Sequence, residues 1–208
     1  MSIISFVYFD LGGVVIRNLT IDENAWSRMK RDLGVPPSFD QEFDAYYDKI
    51  ELLVQAGADI DSFLPEMAQK FHLTFPIGYS VLTDLTSRFH KNESIWPVID
   101  AAKKIGKIGL LTNTYPRLLD KIKQANLLPA VAWDVIIDSS IEGTQKPEAR
   151  IYEIATERAG VAPEEIFFID DRPKNLAAAE RVGWQTFLYD PRHAEESSQH
   201  LMLQFMHA

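Results

Sequence analysis

"SFVYFDLGGVVI", residues 5–16, decides how the rest of the chain is read. A run of apolar and aromatic residues stops at Asp10, and a glycine pair, Gly12 and Gly13, follows almost at once. The run has the β-branched and aromatic content of a strand buried on both faces, as in parallel sheets. An acid at the end of such a strand, just before a turn, is placed to react rather than to pack. Two residues on, where a second acid would assist it, stands Gly12.

The pattern recurs outward from this strand. With "ISFVYF" (4–9), the runs "IGLLT" (108–112), "WDVIID" (133–138), "EIFFID" (165–170) and "QTFLYD" (185–190) read as buried strands. Helical patterns lie between them, at 95–106, 115–127, 147–160 and 173–183, several with Pro near the start and Gly106, Gly160 or Gly183 at the end. This alternation predicts an α/β fold, a Rossmann-like doubly wound parallel sheet. Between about Arg17 and Glu93 the rhythm changes to helical stretches at 22–34, 43–57 and 60–72, and Thr20 with Glu23 offers a capping box for the first. The expected organisation is an α/β core domain of residues 1–16 and 94–208, with an α-helical cap domain of residues 17–93 inserted after the first strand. The tail, 191–208, predicts one further helix.

Bulk properties narrow the function classes. No cysteine is present, which excludes disulfides, zinc–thiolate sites and thiol nucleophiles. A net charge of −9 makes a poor general binder of nucleic acid and suits a chain that gathers carboxylates around a divalent cation. No apolar run approaches the ~20 residues of a bilayer span. The start lacks the basic region and cleavage site of a signal peptide. The expectation is a cytoplasmic protein with no membrane partner; the oligomeric state is left open. The five histidines show no ligand spacing, and His193 and His200 read as solvated.

In open parallel sheets ligands bind beyond the carboxyl ends of the strands. The strand ends here carry Asp10, then Thr112 and Asn113, then Lys146 in the loop after the third strand, then Asp170 and Asp171, with Asn175 a helical turn on. A carboxylate attacks phosphorus readily only if the phosphate's negative charge is screened. Mg²⁺ held by Asp10 and the Asp170–Asp171 pair provides that screening, Lys146 adds a positive charge, and Thr112, Asn113 and the backbone amides of the turn at Leu11 and Gly12 hold the phosphoryl oxygens. Asn175 is expected to orient the acid pair.

These residues resemble, motif by motif, the haloacid dehalogenase-like (HAD) hydrolase superfamily, in the phosphatase-type subfamily with an α-helical cap between motifs I and II. "FDLGGVV" resembles motif I, "LLTN" motif II, "KPEARIY" motif III and "FFIDDRPKN" motif IV. The resemblance covers nearly the whole chain. It implies Asp10 as nucleophile, Thr112 on the phosphate, Lys146 as the motif III cation, Asp171 as a direct Mg²⁺ ligand and Asp170 as a direct or water-mediated one. It also implies a small phosphorylated metabolite as substrate, a sugar phosphate being of suitable size.

Gly12 departs from the family pattern, which places there the acid that protonates the leaving group and activates water. Only its backbone carbonyl remains to bind the metal. General acid–base help is worth ~10²–10⁴-fold. Three readings stay open: an ester whose leaving group needs little protonation, such as an anomeric or phenolic phosphate; another residue serving as acid; or slow or lost activity. The 2-haloacid dehalogenases also lack the second acid and use the same nucleophile without metal. The acid pair of motif IV, costly to bury unless a cation neutralises it, favours the phosphatase. In the insertion, Trp26, Tyr46, Tyr47 and Phe63 read as cap core, and Arg17 as a solvated hinge residue.

Overall fold

The computed structural model describes residues 3–19 and 24–206. The expected capping box of Thr20 with Glu23 lies outside the described residues. In chain order the strands are β1 (Phe6–Phe9), β2 (Ile16–Arg17), β3 (His90–Lys91), β4 (Lys107–Thr112), β5 (Val135–Asp138), β6 (Ile166–Asp170) and β7 (Gln185–Leu188). The helices are α1 (Ala25–Asp32), α2 (Asp40–Gln55), α3 (Leu64–Phe71), α4 (Val81–Ser87), α5 (Trp96–Ile105), α6 (Leu118–Gln124), α7 (Ser139–Glu142), α8 (Ala149–Ala159), α9 (Pro173–Arg181) and α10 (Ala194–Met206).

β5, β4, β1, β6 and β7 form one sheet in that order, all parallel. The chain works outward from β1 to one side, then crosses to the other, so β1 lies at the point where the winding direction reverses. Asp10 therefore stands at the topological switch point, where such sheets open a crevice. Its amide donates to the Ile169 carbonyl at 2.8 Å, carrying the β1–β6 ladder one residue past the strand.

Strand periodicity builds two layers of core. Val7 and Phe9 face one side with Ile108, Leu110, Phe167 and Ile169, covered by α5, α6 and α10. Phe6 and Tyr8 face the other with Leu111, Ile137, Ile166 and Phe168, covered by α8 and α9. Gly109 is required by its neighbour, because a Cβ there would approach the Tyr8 ring to 2.6 Å.

All five core strands form where the apolar runs predict them, and the tail supplies α10. The insertion carries more than the sequence suggests. β2 and β3 pair antiparallel, Ile16 with Lys91 and Arg17 with His90, so the segment leaves and returns through a two-residue ribbon. α4 is additional to the three expected helices. The helix expected over 115–127 is shorter, because Arg117 takes a left-handed conformation (φ 68°) and α6 starts after it. The apolar cluster on the β4 side continues into the insertion through Met29, Phe43, Ile50 and Phe71. Among the described residues no helix is long and apolar enough to cross a membrane.

Candidate active site

The strand-end residues do converge. Lys146 Nζ lies 2.8 Å from Asp10 Oδ1 and 2.7 Å from Asp170 Oδ2, bridging the two carboxylates. All three side chains are buried, Asp170 completely. Asp171 joins them: Asp10, Asp170 and Asp171 each offer a carboxylate oxygen, all within 4.8 Å of one another. Asn175, in the first turn of α9, donates Nδ2 to both Asp170 oxygens at 3.0 Å, and the Arg172 amide donates to Asp170 Oδ1 at 2.8 Å. Asp170 is thus held from the helix N-terminus, where acids are favoured.

The Asp10 carboxyl is pushed up to about 7, chiefly by burial, with Lys146 pulling against the rise and Asp170 and Asp171 adding to it. Burial likewise raises Asp171, with Asp170 adding to the rise. Burial opposes the Lys146 ammonium, but the attraction of Asp10 and Asp170 outweighs it and holds the pKa above the usual lysine range. Three acids against one lysine leave an excess of two negative charges if all ionise, in a place where water does little to screen them. One oxygen of that set, Asp171 Oδ1, is buried with no hydrogen-bond partner.

The first turn is shaped around this cluster. Gly13 has φ +90°, and a Cβ on it would approach Asp171 Oδ2 to 2.6 Å. Only glycine combines that backbone with that proximity. Leu11 is buried, and its carbonyl accepts from the amides of Val15 and Ile16. At Gly12 an added Cβ would lie 2.5 Å from Asn18 Nδ2. The space that a second acid would use therefore holds the Asn18 amide.

The structure adds detail at two of these positions. The Asn113 side chain does not face the cluster as a free amide: Nδ2 donates to the Lys146 carbonyl and Oδ1 accepts from the Lys146 amide, both at 2.8 Å. It fixes the loop that presents Lys146, and Asn113 itself lines the cleft. Thr112 ends β4 as expected and is buried, with its hydroxyl 3.4 Å from the Asn113 carbonyl. Thr114, which the sequence reading passed over, lines the cleft and has a buried Oγ1 without a partner.

A cleft of about 390 Å³ opens over Asp10, Gly12, Lys146 and Asn175. Its far wall comes from the insertion. Trp26, Tyr47, Leu85 and Phe89 give it apolar surface, and Asp48 and Glu51 give it acids. Trp26, Tyr46, Tyr47 and Phe63 all belong to or pack against the core cluster as read from sequence, and Trp26 and Tyr47 line the cleft as well. Arg17 borders other surface hollows beside β3 and does not line this cleft. His193, exposed as expected, pairs with Asp190 at 2.9 Å.

Comparison with known proteins agrees with this fold. A family model for haloacid dehalogenase-like hydrolases matches residues 4–183. A predicted HAD-like family hydrolase from Porphyromonas gingivalis superposes with TM-score 0.76 at 25% identity, over 98% of this chain and 99% of that one. A HAD family enzyme from Bacteroides thetaiotaomicron, in complex with magnesium and inorganic phosphate, superposes with TM-score 0.74 at 22% identity, over 89% and 94% of the two chains. (S)-2-haloacid dehalogenase 4A of Burkholderia cepacia is 28% identical over 137 residues, which is 61% of this chain and 55% of that protein. The chain spans from 5% to 55% of the length of the curated relatives it matches.

Proposed function

The chain belongs to the haloacid dehalogenase-like hydrolase family, and from that premise we propose that it hydrolyses small phosphomonoesters with the help of Mg²⁺, through an aspartyl-phosphate on Asp10. The observation that carries this reading is the charge of the buried cluster. Asp10, Asp170 and Asp171 face one lysine, and a divalent cation brings the set to neutrality. The partnerless Asp171 Oδ1 and the space kept open at Gly13 fit an oxygen-coordinated cation. A dehalogenase needs no such cation and would leave the acids uncompensated.

Asp10, Asp170 and Asp171 would hold the Mg²⁺, with the Gly12 carbonyl as a further candidate ligand. When bound, the ion neutralises charge between the carboxylates and the phosphoryl oxygens. Lys146, 2.8 Å from Asp10, keeps that carboxylate oriented and faces the phosphoryl group with positive charge. Asp10 attacks phosphorus in line; the new bond is carboxylate oxygen to phosphorus, and the ester oxygen departs with its bonding electrons. Water then attacks phosphorus, releasing inorganic phosphate and restoring Asp10. Thr112 at the end of β4 and Thr114, which lines the cleft with a partnerless Oγ1, would supply hydroxyls to the phosphoryl oxygens. The insertion, residues 17–93, serves as the cap that shields the site and shapes the pocket for the organic part.

With glycine at position 12 the leaving oxygen takes its proton from solvent, which makes the chemical step faster for anomeric and aryl phosphates than for alkyl ones, whichever of them the pocket binds. The expected result is Mg²⁺-dependent phosphate release from a metabolite panel that includes sugar 1-phosphates. EDTA should abolish it, and Asp10→Asn should reduce it at least ~10³-fold, the scale of losing a nucleophile. Halide release from chloroacetate, undiminished by EDTA, would replace this reading with the dehalogenase.

A further inference from the structure

The two walls of the cleft differ in charge. The core contributes Asp10, which faces the proposed cation, and three basic residues: Lys146 at the bottom, Arg172 and Lys174 from the start of α9. The insertion contributes Asp48 and Glu51, one turn apart on α2, and no lysine or arginine of the insertion lines the cleft. Among the described residues neither acid forms an ion pair.

Glu51 is also held in place. The Tyr115 hydroxyl donates to Glu51 Oε1 at 3.0 Å, and Tyr115 lies 3.3 Å from the Tyr47 hydroxyl. Burial raises both tyrosines well above their ordinary pKa, so they remain protonated. Tyr115 follows directly on the β4 loop, so this contact ties the insertion helix to the strand ends. Aromatic surface flanks it: the Trp26 and Tyr47 rings lie 4.6 Å apart, both lining the cleft.

A phosphoryl group at the Lys146 end leaves the organic part of the substrate facing α2. A fixed carboxylate there accepts charge-assisted hydrogen bonds from hydroxyl or ammonium groups. It also repels a second anion, more strongly where aromatic walls exclude water. We propose that the site takes phosphate monoesters of hydrogen-bond-donating alcohols, polyols or amino alcohols, and rejects esters that carry a second acidic group, with Glu51 as the residue that sets this preference. The inference rests on the phosphomonoesterase reading.

A matched pair tests it, because glycerol 3-phosphate and 3-phosphoglycerate differ only in a hydroxymethyl against a carboxylate. Titration calorimetry on the Asp10→Asn protein with Mg²⁺ should show glycerol 3-phosphate binding at least about tenfold more tightly. Glu51→Gln keeps an acceptor for Tyr115 and should shrink the gap to about threefold; Glu51→Lys should invert it. Should those variants fail to fold, Asp48→Asn on the exposed side of the same wall should narrow the gap in the same direction. Ethanolamine phosphate separates the two sources: tighter binding than glycerol 3-phosphate assigns an amino alcohol, weaker binding a polyol. Equal binding of the matched pair, a gap unmoved by the variants, or no ester binding better than inorganic phosphate overturns the inference. Phosphate release by the wild-type chain is scored separately. Selective binding without any turnover would keep Glu51's role and remove the phosphatase reading.

Discussion

Gly12 looks like the loss of a partner for Asp10 until Asn18 is placed beside it. An aspartate at position 12 has no room unless Asn18 moves, since its Cβ would meet Asn18 Nδ2 at 2.5 Å. Gly12→Asp alone must displace the end of the Asn18 side chain and should raise turnover less than the double variant. Gly12→Asp with Asn18→Gly should raise kcat on an alkyl phosphate by about 10²-fold and change an aryl phosphate little, because only the alkyl ester needs a proton donor. An equal response of the two esters would refute this account. Gly13 is constrained from the other side. Gly13→Ala adds about 1–2 kcal/mol of backbone strain and pushes on Asp171, so Mg²⁺ affinity measured by calorimetry should fall at least tenfold. Asp10, Lys146, Asp170 and Asp171 were legible in sequence because each follows or ends a recognisable strand. Asn18, Thr114 and Glu51 were not. Asn18 gains its place from a turn that reverses over Gly12, and Glu51 faces the site only because α2 packs with that side inward.

At the scale of elements, the five core strands are legible because both their faces are buried and their sequences are continuous apolar runs. The β2–β3 ribbon is too short to carry any period. α4, "VLTDLTS", is rich in β-branched residues and has only its Ser80 cap, whose side chain accepts from the Thr83 amide, to mark it. The docking of α10 was legible as a helix but not as a support of the site. Asn92, just after the ribbon, donates Nδ2 to the Val14 carbonyl at 2.7 Å and to the Tyr189 hydroxyl at 2.9 Å. Tyr189 donates in turn to the Ala194 carbonyl at 2.9 Å at the start of α10, and lies 2.9 Å from the Ser198 hydroxyl. The final helix thereby braces the turn that follows Asp10. Tyr189→Phe leaves buried partners unsatisfied and should cost about 1–3 kcal/mol. Urea unfolding should show a lower midpoint with an unchanged slope; a midpoint within error of wild type would mean the network carries no weight.

For the whole molecule, the site is a local excess of negative charge inside a chain that is already acidic, at −9. That excess makes stability depend on pH and cation together. Without metal, Asp10 has a folded pKa of about 7 against an ordinary 3.8, so between those values the native state binds more protons than the unfolded one. Stability then falls as pH rises through this window and the cost is fully present above about 7. The proposed Mg²⁺ would bind the ionised carboxylates, so below about 7 it would have to displace a proton and its apparent affinity would drop. At a fixed Mg²⁺ concentration the melting temperature should rise more at pH 8 than at pH 6. At 100 times the dissociation constant the gain is about 2.7 kcal/mol, or roughly 5–10 °C for a chain of this size. Asp171→Asn should shrink the gain at pH 8, while Asp61→Asn, which pairs from the insertion to Arg117 before α6, should leave it unchanged. Equal gains at the two pH values would mean that Asp10 is not a ligand, and the cation would then have to sit on Asp170 and Asp171 alone.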